Sequence, residues 1–350
     1  MAMKNKHSIG ILGATGMVGQ RYIQLLENHP LFEVAWLAAS DRSSGKTYGE
    51  AAKWRLDTPL PERIAKMTVA PAEPEGAPKI IFASVDAAIA REMEPRFADA
   101  GCAVLSNSSA FRMAPNVPLV IPEVNAEHLH LVEEQPSRKH SGGYMVTNPN
   151  CSTIGLVMAL KPIEERFGIE QIFVSTMQAV SGAGYPGVPS MDILGNVVPY
   201  IGSEEEKMEA ETLKLLGKLE GPGVIPLAAR ITAHCNRVAV EDGHTECVSI
   251  KLAKPATREE ILAAWAEFRP LAGRGLPTAP DPPVFFASQP DRPQPRLDRN
   301  RGKGMAVTVG RLRPCGLLDW KFVALSHNTV RGAAGATILN AELLASLGKL

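Results

Sequence analysis

Cys151 is the residue of this sequence best placed for nucleophilic chemistry. It follows the turn-forming run Asn148-Pro149-Asn150 and stands where a helical pattern begins. The backbone N–H groups and the macrodipole at a helix N-terminus favour a thiolate, the form of cysteine that attacks acyl groups. A single cysteine is more often a small buried hydrophobic residue. The polar, turn-forming neighbours favour the nucleophile.

Two further segments carry side chains that suit the same pocket. Arg237 and His244 lie across an Asp-Gly dipeptide typical of a hairpin turn, which would bring a guanidinium near an imidazole, the usual proton carrier at neutral pH. His234 is a rival, but its Ala and Cys neighbours predict a packed side chain. Gln178 ends a strand pattern and opens a glycine-rich loop over 178–187. That segment either orients a substrate near a nicotinamide or is a flexible turn.

The start of the chain carries glycine at every third position, Gly10, Gly13, Gly16 and Gly19, between a strand pattern and a helical pattern. Glycines there let the backbone approach a pyrophosphate, which the N–H groups of the following helix then hold. The spacing differs from plain G-x-G-x-x-G. Its place in a βαβ frame predicts dinucleotide binding.

The residues after the second strand pattern bear on which dinucleotide is bound. Asp41 would accept a hydrogen bond from the ribose of NAD, whereas Arg42 with Ser40, Ser43 and Lys46 suits the 2′-phosphate of NADP. The cluster favours NADP, and a solvated polar loop is the alternative.

Two regions with different patterns of predicted strands and helices carry these residues. Strand and helix patterns alternate up to residue 150, which predicts βαβ units around a parallel sheet. From Cys151 onward the strand patterns are longer and the helices fewer, which predicts an α+β domain with a mixed or antiparallel sheet. We predict a dinucleotide-binding domain over 1–150, joined by a helix over 331–350, and a second domain over 151–330.

Several elements of the second domain are predicted individually. A helix over 152–167 is expected to be interrupted or kinked near Pro162. Helices over 203–219 and 257–268 each begin at a residue suited to N-capping. Strands are expected over 171–180, 237–240, 245–252, 305–312 and 321–325.

Composition narrows the class of protein. The 350 residues contain 37 Lys and Arg against 37 Asp and Glu, so no overall field attracts nucleic acid or an anionic membrane. The five cysteines are scattered without a C-x-x-C pair, which favours neither disulfides nor a metal site. No apolar run approaches the ~20 residues of a membrane helix, and the strand pattern begins too early to leave room for a signal peptide. We expect a cytoplasmic protein with reduced thiols.

Six ordered motifs resemble those of the aspartate-semialdehyde dehydrogenases. They are G-A-T-G-M-V-G over 13–19, S-S-A-F-R-M over 108–113, N-P-N-C-S-T over 148–153, Q-A-V-S-G-A-G over 178–184, E-E-E-K over 204–207 and R-x6-H over 237–244. The stretches over 304–311 and 328–335 resemble the archaeal and fungal-like branch. The resemblance implies a Rossmann-type domain plus an α+β catalytic and dimerisation domain, and a homodimer or homotetramer.

The resemblance also implies a role for individual residues. Cys151 would be the nucleophile, His244 the acid/base group and Gln178 the residue that positions the thioacyl intermediate. Arg237 would bind the substrate α-carboxylate and Glu204 the amino group, while phosphate would meet Arg112 and Lys207, with Asn107 nearby. The implied NADP contacts are Gly13, Thr15, Gly16, Met17, Val18, Ser40, Arg42, Ser43, Ser181, Gly182 and Asn328.

The implied reaction is the NADPH-dependent reductive dephosphorylation of L-4-aspartyl phosphate to L-aspartate 4-semialdehyde, a step towards lysine, threonine and methionine. Malonyl-CoA reductase uses the same thioester chemistry and is the nearest alternative, although Glu204 favours the aspartyl substrate. N-acetyl-glutamyl-phosphate reductase fits the E-E-E-K and R-x6-H stretches less well. A non-catalytic NADP-binding redox regulator would have no need for Cys151, Arg237 and His244 together, and a cysteine hydrolase leaves the first domain unexplained.

Overall fold

The computed structural model describes residues 6–350, so the first five residues of the stretch considered for a signal peptide lie outside it. The strands, numbered along the chain, are β1 His7–Leu12, β2 Phe32–Ala38, β3 Ile80–Ala83, β4 Ala103–Ser106, β5 Tyr144–Thr147, β6 Ile169–Gln178, β7 Lys218–Glu220, β8 Gly223–Ile225, β9 Arg230–Arg237, β10 His244–Leu252, β11 Val284–Ala287, β12 Val307–Pro314 and β13 Trp320–Ser326. The α-helices are α1 Met17–Leu26, α2 Tyr48–Ala51, α3 Glu62–Ala65, α4 Ala87–Asp99, α5 Pro122–Asn125, α6 Pro136–Ser141, α7 Cys151–Phe167, α8 Ser190–Ile193, α9 Glu204–Leu215, α10 Arg258–Glu267, α11 Pro295–Asp298 and α12 Gly335–Ser346. None of the helices between residues 6 and 350 is long and apolar enough to cross a membrane.

The chain divides into two compact units, each assembled from separated stretches. The first contains residues 6–120, 127–148 and 334–350, and the second contains residues 121–126 and 149–333.

The first unit is built on a parallel sheet in the order β2-β1-β3-β4-β5. Strands β3 and β4 are buried along their whole length, which is why their residues before Ser106 are all apolar rather than alternating with polar ones. The strand order reverses between β1 and β3. In open α/β sheets the carboxyl ends of the strands at such a switch point form the ligand crevice.

Helix α12 is part of this first unit although it comes from the end of the chain. The Thr337 hydroxyl lies 2.7 Å from the Tyr22 hydroxyl, and the Asn340 amide donates to the Asn148 side-chain oxygen at 2.6 Å. Its Glu342 carboxylate lies 2.8 Å from the ring of His29. These buried polar contacts tie the last helix to α1 and to the end of β5.

The second unit is built on a mixed sheet in the order β11-β12-β13-β10-β6-β9. The pairs β6/β9 and β11/β12 are parallel, and the other neighbours are antiparallel. Helix α7 packs on one face of this sheet and is buried over most of its length. The parallel sheet of the first domain and the mixed sheet of the second are both confirmed.

The structure corrects the predicted hairpin between Arg237 and His244. Strand β6 lies between β9 and β10, so residues 238–243 cross the end of β6 instead of turning back on β9. Strand β9 ends at Arg237, where the predicted strand was to begin. The hairpin prediction is wrong because an Asp-Gly dipeptide also occurs in turns between strands that do not pair with each other.

Three smaller predictions also fail. His234 is exposed, with its ring 5.7 Å from that of Phe173, because its side chain alternates to the face opposite Ala233 and Cys235. Ser203 has φ +56° and its side chain does not cap α9. Helix α7 continues through Pro162, so the predicted interruption is wrong, while a kink at that residue stays a prediction.

Candidate active site

Cys151 is the first residue of α7, and its neighbours hold it there. The Asn150 side chain accepts hydrogen bonds from the N–H groups of Ser152 at 2.9 Å and Thr153 at 3.2 Å. On the other side lies Gly332, where an added Cβ would come 2.7 Å from the Cys151 Cβ. The half-buried thiol therefore sits at the positive end of a capped helix, against a position that only glycine can occupy.

His244 contacts the thiol through a defined tautomer. Its Nε2 lies 3.1 Å from the Cys151 Sγ, and its Nδ1 accepts a hydrogen bond from the Ala179 N–H at 3.0 Å. Because an N–H can only donate, Nδ1 carries no proton, and the neutral ring directs its Nε2–H at the sulfur. Burial, and then the charges of Arg237 and His327, lower the pKa of His244 to about 3. The imidazole is therefore neutral near pH 7.

Arg237 lies beside this pair at the end of β9. Its Nη1 donates to the Ala179 carbonyl at 2.8 Å, and the side chain is buried. Burial lowers its pKa, an effect that Cys151 and Glu204 oppose, and a guanidinium stays charged regardless. A Cβ at Gly182 would lie 2.8 Å from the Arg237 Nη1 and 3.2 Å from the His244 Nε2. The lack of a side chain at Gly182 leaves room for these two groups.

Gln178 and Glu204 are joined through the Ser152 hydroxyl, which the sequence motifs do not single out. The Gln178 amide donates to the Ser152 Oγ at 3.0 Å, and that oxygen lies 3.2 Å from the Glu204 Oε1. Both side chains are buried, and Gln178 pairs with Arg237 in the register of β6 and β9. Lys207 is half-buried one turn further along α9. The second unit thus brings Cys151, His244, Gln178, Arg237 and Glu204 together.

Ser181 and Asn328 form a separate hydrogen-bonded group in the same unit. The Asn328 amide donates to the Ser181 hydroxyl at 2.8 Å, and its oxygen accepts from the Gly243 N–H at 2.8 Å. The Ser181 hydroxyl donates to the Asp242 carboxylate at 2.7 Å. Asp242 belongs to the Asp-Gly dipeptide from which the sequence predicts only a turn. Together these bonds fix the loop that precedes His244.

The glycine turn of the first unit leads from β1 into α1. Gly13 has φ +85°, and a Cβ there would come within 3.0 Å of the Ser84 carbonyl oxygen at the end of β3. A Cβ at Gly19 would collide with backbone of the turn itself. The N-cap residue of α1, Gly16, is exposed and has no side chain to cap the first turn. This cradle of backbone at a helix N-terminus fits a dinucleotide pyrophosphate.

The other residues predicted to meet NADP in this unit surround that turn or follow β2. Thr15, Met17 and Val18 are half-buried beside Gly16. After β2, the Ser43 N–H donates to the Ser40 carbonyl at 2.8 Å, which forms a tight turn with an exposed Arg42. A guanidinium and hydroxyls on such a turn fit a 2′-phosphate.

Arg112 and Asn107 lie together in the first unit. Arg112 Nη2 donates to the Asn107 carbonyl at 2.7 Å. The Asn107 side chain is held inside the unit, where it donates to Thr337 at 3.0 Å and accepts from the Asn148 amide at 2.9 Å. Asn107 therefore contacts the guanidinium through its backbone, while its amide joins the buried network around α12.

Comparisons with known proteins fit this fold and site. Residues 8–132 match the family model of the semialdehyde dehydrogenase NAD binding domain, and residues 160–331 match that of the semialdehyde dehydrogenase dimerisation domain. A protein with this pair of domains is a semialdehyde dehydrogenase by class.

Full-length relatives narrow the class further. The chain is 53% identical to the aspartate-semialdehyde dehydrogenase of Methanothermobacter thermautotrophicus over 96% of this chain and 98% of the relative. It is 47% identical to that of Candida albicans over 96% and 97% of the two chains. The crystal structure of the Candida albicans enzyme with NADP superimposes with a TM-score of 0.92 at 44% identity, covering 98% of this chain and 100% of that chain. The chain belongs to the aspartate-semialdehyde dehydrogenase family, and the predicted resemblance to its archaeal and fungal-like branch is confirmed.

Proposed function

We propose that this protein converts L-4-aspartyl phosphate and NADPH to L-aspartate 4-semialdehyde, phosphate and NADP through a thioacyl intermediate on Cys151. The observation that carries the proposal is the 3.1 Å contact between the Cys151 sulfur and the His244 Nε2, with the Arg237 guanidinium buried beside them. The relatives named above, one of them solved with NADP, favour this reaction over malonyl-CoA reduction.

In the first step the Cys151 thiolate attacks the acyl carbon, and the bond from that carbon to the phosphate oxygen breaks. The His244 Nε2–H, already directed at the sulfur, donates to the oxyanion that develops on the same carbon. Phosphate departs with the bonding electron pair and leaves a thioester. We assign Arg112 and Lys207 to the phosphate, because cationic side chains compensate the charge of the departing anion.

In the second step NADPH, when bound, supplies the hydride that reduces the thioester carbon. His244 donates its Nε2–H to the hemithioacetal oxygen and so stabilises its negative charge. Collapse of that oxygen to a carbonyl expels the Cys151 thiolate and releases the aldehyde. The thiolate returns to its place at the α7 N-terminus, ready for another turnover.

Three buried side chains orient the aspartyl group in this proposal. The planar Arg237 fork binds the α-carboxylate, and the Glu204 carboxylate receives the amino group. Gln178 positions the thioacyl group. We assign the glycine turn to the NADP pyrophosphate. The remaining proposed NADP contacts are Thr15, Met17, Val18, Ser40, Arg42, Ser43, Ser181, Gly182 and Asn328.

The second unit includes the family's dimerisation domain, so the protein forms oligomers. We propose a homodimer or homotetramer through the exposed face of the six-stranded sheet, where Phe173 and Met177 expose apolar surface, as does Leu317 in the connection between β12 and β13. We assign residues 1–150 with the helix over 331–350 to NADP binding, and residues 151–330 to catalysis and dimerisation. Since a Cys151 thiolate needs a reducing compartment, we place its action in the cytoplasm.

A paired assay tests the reaction. The purified protein is given aspartate semialdehyde, phosphate and NADP in one experiment and malonyl-CoA with NADPH in another, while the absorbance of the reduced cofactor is followed. Turnover is expected in the first mixture only. Cys151→Ala is the negative control and is expected to bind NADP without turnover. Robust turnover with malonyl-CoA and none with aspartate semialdehyde would show that the acyl donor is wrong.

A further inference from the structure

Glu211 lies beside the residue that precedes the nucleophile. Its Oε2 accepts a hydrogen bond from the Asn150 main-chain N–H at 2.6 Å, and the side chain is only 1% exposed. Asn150 in turn uses its own side chain to cap the helix that begins at Cys151. The position of the thiol therefore depends on a carboxylate on α9, 61 residues further along the chain than Asn150.

This carboxylate has a buried counter-charge. Lys214, one turn further along α9, is 6% exposed. Burial lowers the pKa of Lys214 to about 8, and the Glu211 charge opposes that fall. A hydrogen bond to a carboxylate is shorter and stronger than one to a neutral oxygen. The bond to Asn150 is of this kind, with its charge balanced inside the unit.

The same helix also holds the strand that carries Arg237. The Glu205 Oε1 accepts from the Cys235 N–H at 2.9 Å, and the Glu209 Oε1 accepts from the Ala233 N–H at 2.9 Å. Strand β9 is at the edge of the sheet, so these N–H groups face away from β6 and need a partner outside it. Glutamates one helical turn apart match the spacing of alternate residues on the strand.

We propose that α9 is a positioning helix, in which Glu211 sets the Cys151 thiol and Glu205 with Glu209 sets the Arg237 guanidinium. The proposal rests on the proposed function in taking Cys151 as the nucleophile and Arg237 as the carboxylate-binding group. The proposal predicts two separate effects for substitutions on α9. Loss of the Glu211 bond changes the reactivity of the thiol, whereas loss of the Glu205 and Glu209 bonds changes the affinity for the substrate carboxylate.

The thiol is tested with Glu211→Leu, which keeps the bulk and removes the acceptor. Alkylation of Cys151 by iodoacetamide is followed from its peptide by mass spectrometry across a pH series and is compared at each pH with that of the unmodified protein. A displaced reacting group costs up to about 10²-fold, so we expect alkylation and kcat to fall at least about tenfold. KM for aspartate semialdehyde should change less than about threefold, since Arg237 is untouched.

Two variants control for other causes. Glu211→Gln keeps an oxygen acceptor and should hold alkylation within about threefold of the unmodified protein, since the hydrogen bond survives. Glu206→Gln makes the same change of charge at an exposed position of the same helix. It should change neither Cys151 alkylation nor kcat. If Glu211→Leu does not fold, Glu211→Asp, whose oxygen is one methylene short, must lower alkylation more than Glu211→Gln.

The guanidinium is tested with the double change Glu205→Ala and Glu209→Ala. We expect KM for aspartate semialdehyde to rise at least about fivefold, while Cys151 alkylation stays as in the unmodified protein. Normal alkylation and kcat in folded Glu211→Leu, or a greater loss with Gln than with Asp, would overturn the assignment of Glu211. An unchanged KM in the double variant would overturn that of Glu205 and Glu209. Alkylation requires no substrate, so a wrong acyl donor would leave the thiol result standing.

Discussion

The two units build their candidate sites by opposite means. In the second unit the site consists of side chains in contact, with the Cys151 sulfur 3.1 Å from the His244 ring. In the first unit the glycine turn works through the lack of side chains, since a Cβ at Gly13 or Gly19 would collide with backbone. Removing a functional group should therefore damage the former, and adding a methyl group should damage the latter. The first change should reduce turnover and the second should weaken cofactor binding.

After the complete loss of turnover expected in Cys151→Ala, the largest effect comes from His244→Asn. Asparagine cannot donate from the position of Nε2 in the same geometry, so stabilisation of the oxyanion is lost. We expect kcat to fall by about 10²–10⁴-fold, the usual contribution of such a group, while the NADP dissociation constant stays within about twofold. Steady-state kinetics and a cofactor-binding titration measure the two quantities.

His234→Asn is the matched control for that change, because His234 is exposed on β9 with its ring 5.7 Å from Phe173. It should leave kcat unchanged. If His234→Asn is the damaging variant and His244→Asn is active, the assignment of the acid/base residue is wrong.

A smaller effect is expected from Gly13→Ala. The φ of +85° costs a side chain about 1–2 kcal/mol, and the added Cβ would also press on the Ser84 carbonyl. We expect the NADP dissociation constant to rise by about tenfold, with Cys151 alkylation unchanged. Gly76→Ala is the matched control, since Gly76 has φ +77° with nothing within 4 Å of an added Cβ. Equal effects of the two changes would show that close backbone approach has no part in cofactor binding.

The smallest effect is a dependence of stability on pH. The pKa of His244 is about 3 in the native state, against about 6.5 when unfolded. Between these values only the unfolded state binds the proton, so the free energy of unfolding falls as pH falls. The His244 contribution should decrease by about 1.4 kcal/mol between about pH 7.5 and 5.5.

The measurement is a difference between urea denaturation of the unmodified protein and of His244→Asn at both pH values. The difference is needed because burial raises the pKa of Glu94 to about 7, which acts in the opposite direction. A His-specific difference that stays constant with pH would mean that the imidazole is not held neutral by burial.

Sequence patterns predicted what depends on neighbouring residues. The glycine turn and the start of α7 each lie within a few residues of the signals that predict them. The meeting of Arg237 and His244 was predicted through a hairpin that does not exist. They share a pocket because β9 and β10 both pair with β6, a fact about strand order that local spacing does not contain.

Other parts of the site depend on contacts between residues that are distant in the sequence. Gly332 stands against Cys151, and Glu211 meets Asn150 from α9, only once the second unit has folded. Gly332 lies in the N-T-V-R-G-A-A-G motif over 328–335, so a sequence signal for this glycine exists. Nothing in the sequence around Glu211 separates it from the other glutamates of α9.

Helix α12 has a consequence for how the chain is made. Its Thr337 and Glu342 pair with Tyr22 and His29, which leave the ribosome more than three hundred residues earlier. The first unit therefore cannot form these contacts until the whole of the second unit has been synthesised. Since domains generally fold as units in the order in which they are translated, the second unit has the opportunity to finish first. In the cell, the dinucleotide-binding unit is then begun first and completed last.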